Sequence, residues 1–406
     1  MTARITKACC ISLLALCCLV PKAAHALIGD VDDSFGLDGN IKAFTFLSKN
    51  HEHPIFNADN AYDAQGLLHL RLIAAGKPTS NLSYEIHGLT QMAVIDDTDL
   101  SAIFATNTST QHYLFFNNNW ELYAEDKVSA LQSLERANLK LRLEAADIIL
   151  GKQAITFGKT YFWNPLDVFS PFGAIQFDRE YKAAIDGLRV DIPLGDFSGL
   201  NLVATTDEFD KTYGLLRYFG NVADWDLALQ GGLIHNGVHL GAGASGEIDS
   251  VGMRLEGTYL WPDKSSALKA HFSAVLGLGY VINENTQVQF EQLYNGGAPN
   301  NLLMGLTLFS AGDLLQASEH VSGCSLSHQI SALVQSSLTL LWTWEKPSAL
   351  LYPSLVISLS DEIDLLTGAM VSMGEKASGN DLLDINIGSE FGNYPHSFYM
   401  QLKAYF

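Results

Sequence analysis

The sequence has almost no means of forming a disulfide and no helix fit to cross a membrane. Of its five cysteines, Cys9, Cys10, Cys17 and Cys18 fall in the extreme N-terminal segment and only Cys324 lies beyond it. If that segment is removed, one thiol remains and an intrachain disulfide is excluded. After residue 27 no apolar run approaches the ~20 residues a spanning helix needs. Basic residues are few, 24 against 44 acidic, which argues against a nucleic-acid partner. No Gly-x-Ser-x-Gly elbow is present. The adjacent pairs His396-Ser397 and Ser327-His328 would point to opposite faces of a strand and could not share a proton, so no enzyme activity is expected. No metal or cofactor is expected either. His51-Glu52-His53 reads as a solvated loop, and Asp96, Asp97 and Asp99 lack the downstream Gly and Glu of a calcium loop.

The N-terminus reads as a secretory signal peptide. Arg4 and Lys7 form a basic n-region, Ala8 to Val20 an apolar h-region, and Ala24-His25-Ala26 a cleavage site. The expected division is a cleaved signal peptide over 1–26 and one domain over 27–406. Cleavage removes Arg4, Lys7 and Lys22, making the exported chain more acidic still. Hydrophobic residues nevertheless make up 48% of the chain, and mean hydropathy is +0.11. An apolar composition without apolar runs fits strands that show lipid only at every second residue.

Alternation of period two recurs along the chain, from 39–48 and 64–75 to 363–373 and 397–406. Short polar turns join some segments, such as Leu194 to Ser198, Asn221 to Asp224, Gln335 to Ser337 and Ser360 to Ile363. Long links join others: Lys49 to Asp63, Ile95 to Leu134, Lys159 to Glu180, Asn295 to Cys324 and Gly374 to His396. Turns on one side and loops on the other are the asymmetry of an outer-membrane barrel. The expected fold is all-β, a transmembrane antiparallel up-and-down β-barrel of about 18 strands, with 16 as the alternative. Asn201 to Thr206 and Val238 to Ser245 are the weakest strands, and a further hairpin could lie around His112 to Tyr123. In the last strand Tyr399, Gln401, Lys403 and Tyr405 are expected to face the lumen and to pair with the first strand near Asn40 to Leu47. Its terminal Phe406 resembles the signal by which bacterial barrels engage their assembly machinery.

Alternation also assigns an inner face. In 135–145, Ala137, Leu139, Leu141, Leu143 and Ala145 form a lipid face, so Arg136, Asn138, Lys140, Arg142 and Glu144 point inward. The same phase turns Arg71, Arg189, Arg254, Glu256 and Lys269 inward, and Lys152 and Arg217 join them. The later strands turn in neutral or acidic groups, among them Gln287, Gln289, Glu291, Thr343 and Ser354. A stripe of Lys and Arg favours anions in a pore. Alternatively, these cations pair with Glu144, Glu256 and nearby aspartates to brace the wall.

The strand end Gly151-Lys152-Gln153-Ala154-Ile155-Thr156-Phe157-Gly158, followed by Trp163-Asn164-Pro165-Leu166-Asp167 and later Ala184 to Asp191, resembles porin-like barrels of the alginate-export and phosphate-selective porin type. Lys152 stands where those families more often carry Arg. The resemblance implies an outer-membrane channel.

The link Lys159 to Glu180 is a candidate constriction loop. Tyr161, Phe162, Trp163, Phe169 and Phe172, with Pro165 and Pro171, are too apolar and too stiff for a freely solvated loop. Asp167, Asp178 and Arg179 would supply its polar contacts. It either narrows the pore or packs as a lid on neighbouring loops. The expected function is an outer-membrane porin-like channel for small hydrophilic solutes, with anions as one class. Outer-membrane lipid, lipopolysaccharide and the barrel-assembly machinery are the expected partners. The alternative is a surface binding or adhesion barrel acting through loops Ile95 to Leu134 and Asn295 to Cys324.

Overall fold

A strand in a bilayer has no water to satisfy an unpaired edge, so its sheet must close. In the computed structural model it does. The structure describes residues 28–29, 33–51, 62–95, 112–116, 118–171, 173–175, 179–209, 211–264, 266–379 and 385–406. The expected signal segment 1–26 lies outside them, as do Glu52, His53, Asp96, Asp97, Asp99, Phe172 and Asp178. Among the described residues no helix is long and apolar enough to cross a membrane.

The strands in chain order are β1 Gly36–Lys49, β2 Tyr62–Thr79, β3 Leu82–Ile95, β4 Asn119–Glu125, β5 Val128–Arg142, β6 Asp147–Gln153, β7 Ile185–Gly195, β8 Ser198–Thr206, β9 Thr212–Val222 and β10 Trp225–Ile234. They continue as β11 Gly237–Ile248, β12 Val251–Pro262, β13 His271–Asn283, β14 Thr286–Asn295, β15 His320–Ser331, β16 Val334–Thr343, β17 Ser348–Ser360, β18 Ile363–Met373 and β19 His396–Tyr405. β3 pairs directly with β5 along its length. β4 pairs with Val128 to Ser133 of β5, above the stretch Ala137 to Arg142 that β6 takes. The wall is thus a closed 18-strand antiparallel barrel with β4 as a short addition, which excludes 16 strands. Both weak segments are strands, β8 and β11. The hairpin expected around His112 to Tyr123 is β4 with β5, turning at Asp126 rather than within 112–123.

Closure follows the register expected of the last strand. Asn40 opposes Tyr405, Lys42 opposes Lys403, Phe44 opposes Gln401 and Phe46 opposes Tyr399. Phe406 completes the ladder, exchanging backbone hydrogen bonds with Gly39 at 2.8 and 3.0 Å. The outer face is a bare apolar band in which Leu150 and Leu229 are 60% and 61% exposed, as a lipid-facing surface requires. Among the described residues, the strand-to-strand connections on one rim are short turns. The other carries the long loops, including 296–319 with helix α1 (Leu302–Ser310), whose N-terminus is capped by Asn301.

Several sequence expectations need correction. β6 ends at Gln153 instead of continuing to Gly158. At Gly151 φ is +114°, and a Cβ there would lie 2.2 Å from the Ala137 carbonyl oxygen, so only glycine fits the distorted backbone at which the chain prepares to leave the wall. Ile155 and Phe157 then bury inside. β5 ends at Arg142, which leaves Glu144 exposed in the turn and not in the lumen. Lys269 precedes β13 and is exposed on the long-loop side. Lys152 is in register with Ala137 and Asp186, residues of the outward phase. It lies buried beside Asp186, Phe115 and Phe116 and does not line the lumen. The turn read at Gln335 to Ser337 falls instead between Ser331 and Val334. Ser337 lies mid-strand, sharing a 2.6 Å hydrogen bond with Ser354 across the inner face.

Nor is the lumen polar throughout. On the long-loop side of β13 to β18 it is packed with Val275, Leu293, Val321, Leu341, Leu350 and Met370 around Phe162 and Trp163. Single inward apolar residues among polar neighbours gave no sequence signal, because the loop that covers them comes from far away in the chain.

Candidate functional site

Backbone that leaves a sheet carries N–H groups that need acceptors. In the loop between β6 and β7 two glutamates from across the barrel supply them. Glu256 of β12 accepts from the backbone N–H of Lys159 (2.5 Å), Thr160 (3.3 Å) and Leu166 (3.2 Å). Glu291 of β14 accepts from Tyr161, Phe162 (2.7 Å) and Trp163 (3.4 Å). Asp167 closes the loop on itself. Its Oδ1 accepts from Phe157 (2.5 Å) and Gly158 (2.7 Å), and its Oδ2 pairs with Lys182 in a buried ion pair. Burial draws the Lys182 ammonium below the ordinary lysine range, against the pull of Asp167.

The aromatic residues hold the loop's centre. Trp163 is fully buried, and its Nε1 donates to Gln316 at 3.1 Å. Gln316 in turn donates to Glu390 at 2.6 Å. Phe169 packs with Tyr113, Phe157 and Leu166. Tyr161 stays partly exposed, and its carbonyl accepts from Arg179 at 2.8 Å. The returning limb docks on the opposite wall. Glu180 bonds Lys42 of β1 (2.8 Å), Lys403 of β19 (3.0 Å) and Tyr405 (3.1 Å). Burial opposes ionisation of Glu180, yet the two lysines hold its carboxyl below the usual carboxylate range. The Arg71 guanidinium lies 3.9 Å from the centre of the Tyr181 ring. The loop therefore crosses the lumen, anchored both on the inner wall, through Glu256, Glu291, Lys42 and Lys403, and on neighbouring loops, through Gln316 and Tyr113.

The basic residues of the wall divide into two groups. Arg71 pairs with Glu135, Arg136 with Glu85 (3.1 Å), Lys140 with Asp147 (2.6 Å) and Arg189 with Asp191 (2.8 Å). These four brace the wall, but their partners are not Glu144 or Glu256. Arg142, whose side chain is 60% exposed, sits 3.7 Å from Asp147 near the rim. Arg217 and Arg254 differ, since they donate to amide oxygens: Asn201 at 2.9 Å and Gln289 at 3.1 Å. The Arg217 guanidinium lies 5.0 Å from the ring centres of both Phe157 and Phe219, and its Nε has no hydrogen-bond partner.

Cavities lie on both sides of the loop. One of about 440 Å³ opens toward the short-turn rim and is bordered by Lys159, Leu166, Arg217, Asp226, Arg254 and Glu256. Another of about 100 Å³ lies on the long-loop side and is bordered by Asn164, Pro165, Asp167, His235, His239 and Asp313. Leu166 borders the first while Pro165 and Asp167 border the second, so the partition there is one segment of chain. Its position is set by Glu256, which accepts from Leu166 N, and by Gln230, which donates to the Leu166 carbonyl at 3.0 Å. Of the residues expected in a constriction, Tyr161, Trp163, Asp167, Phe169 and Arg179 lie in the loop between β6 and β7, and Asp178 lies outside the described residues. Sequence reasoning missed the anchoring role of Glu256 and Glu291, and missed Lys42, Glu180, Lys182 and Gln316. A loop with many unpaired N–H groups and two inward glutamates was the available signal.

No protein-family model matches the chain, and no curated protein matches it in sequence. Solved structures do match in fold. OccAB1 of Acinetobacter baumannii superposes with a TM-score of 0.57 at 7% identity, over 95% of this chain and 99% of that one. OccD3 (OpdP) of Pseudomonas aeruginosa gives 0.55 at 9% identity over 95% of each chain. OccK11 (OpdR) of P. aeruginosa gives 0.55 at 10%, over 93% and 99%. The chain thus has the fold of outer-membrane porins of the Occ/OprD type, an 18-strand barrel.

Proposed function

We propose that the chain is an outer-membrane channel for the passive passage of small hydrophilic solutes, with its short-turn rim in the periplasm. The carrying observation is a closed barrel whose lumen is crossed by one anchored loop with a polar cavity beneath it. Leu150 and Leu229 on the outer face suit lipid, the exposed polar loops suit lipopolysaccharide, and the alternating faces of β19 suit the barrel-assembly machinery.

Arg217 and Arg254 support a preference for anions. Four other wall cations are ion-paired with carboxylates, whereas these two take amide hydrogen-bond partners where they border the 440 Å³ cavity, which Asp226 and Glu256 also line. A solute carboxylate or phosphate could take charge-assisted hydrogen bonds from them. The resemblance of Gly151 to Gly158 to the alginate-export and phosphate-selective type agrees with such cargo.

The test is swelling of proteoliposomes in neutral and carboxylated sugars of equal size, together with the reversal potential in a KCl gradient. Swelling, faster for the carboxylated sugar, and an anion-selective potential are expected. Absence of swelling would favour a surface binding barrel. A cation-selective potential would remove the role given to Arg217 and Arg254.

A further inference from the structure

We propose that His112, His235 and Asp313 form a binding site for a transition-metal ion of the zinc class, linking three loops over the long-loop entrance to the lumen. The three residues come from separate connections: His112 from the segment before β4, His235 from the tight turn between β10 and β11, and Asp313 from the stretch after α1. Each offers one ligand atom, and the three atoms lie within 4.8 Å of one another. Two imidazoles and one carboxylate make a common zinc donor set, with a fourth position left for water.

Supporting contacts are in place around the donors. Asn236 donates to Asp313 Oδ1 at 2.9 Å, leaving Oδ2 for an ion. The His235 backbone N–H donates to the Tyr113 hydroxyl at 3.1 Å, which fixes the turn against the residue next to His112. His235 Nδ1 has no hydrogen-bond partner. Outer contacts of this kind orient the groups that hold a metal.

The imidazoles of His112 and His235 lie 3.5 Å apart and within 10° of parallel. Parallel rings do not aim their lone pairs at one point, so binding must turn the imidazoles about their side-chain bonds. The site borders the cavity that holds Asp167 and Pro165, so an ion there sits beside the partition. The other grouping, Glu319, His320 and Glu345, is already closed. His320 Nδ1 and its backbone N–H both bond Glu345, at 2.5 and 3.0 Å.

The test uses the full chain folded in detergent, titrated with Zn²⁺ against a chromophoric chelator. One zinc per chain is expected, with at least tenfold weaker binding in His112→Ala and His235→Ala and no change in Glu345→Ala. Asp313→Asn keeps an oxygen for Asn236 but loses the charge, and should weaken binding without altering the barrel's heat-modifiable electrophoretic mobility. Absence of zinc binding by the wild-type chain, or equal binding by the His112→Ala/His235→Ala double variant with normal mobility, would overturn the proposal. Because the readout is equilibrium binding, it is independent of whether the barrel conducts.

Discussion

Three carboxylates determine where the lumenal loop sits. Glu256 and Glu291 each receive three backbone N–H groups, and Asp167 receives two and a lysine. Each such bond contributes on the order of 1 kcal/mol net, so together they offset part of the conformational entropy that a loop of this length loses on ordering, and burial of its aromatic residues offsets more. Asp167→Asn leaves Lys182 as a buried charge without its partner, and breaking such a pair costs about 3–5 kcal/mol. The expected outcome is loss of hydrogen-exchange protection at Phe157 and Gly158 with the wall strands unchanged. Glu291→Gln replaces an acceptor-only group by one that also carries donors, which the crowded N–H groups of Tyr161, Phe162 and Trp163 oppose. Trp163 fluorescence should shift to the red as water reaches the ring. The sequence placed Asp167 in the constriction, but it could not show Glu256 and Glu291 as anchors, because β12 and β14 lie about 100 residues or more beyond the loop they hold and only closure brings them to it.

At the scale of the element, β6 and its loop behave as one unit. Gly151 is where the strand distorts, and Gly151→Ala forces a Cβ onto the Ala137 carbonyl in a backbone region that L residues avoid. A penalty of about 1–3 kcal/mol is expected, read as a lower denaturant midpoint for the folded barrel. The returning limb should respond to acid. Glu180 has a depressed carboxyl pKa in the folded chain, so its bonds to Lys42 and Lys403 contribute fully above the ordinary carboxylate pKa. That contribution is lost as pH falls through the lowered folded value. Protease sensitivity around residue 180 should therefore stay constant from neutral pH down to the ordinary carboxylate range and rise only below it. The strands themselves were legible because period two survives without knowledge of neighbours. Their ends were less so, since Ser336-Ser337 looks like a turn in sequence, yet both lie within β16 and Ser337 shares a lumenal hydrogen bond with Ser354.

For the whole molecule, the barrel is half packed and half polar. Aromatic and aliphatic side chains fill the long-loop side, as along β13 to β18, while Lys159, Arg217, Asp226, Arg254 and Glu256 border the cavity below the loop. Alternation disclosed the polar half through Arg136, Lys140 and Arg189. It could not disclose the packed half, where Leu293, Leu341 and Leu350 meet Trp163 only in three dimensions. The anchored loop is expected to control passage through the closed barrel. Single-channel conductance in a planar bilayer tests it most directly, comparing the wild type with the Glu256→Gln/Glu291→Gln double variant. Small, discrete steps are expected for the wild type and steps several-fold larger and noisier for the variant; equal conductance in the two would show that the loop does not limit passage.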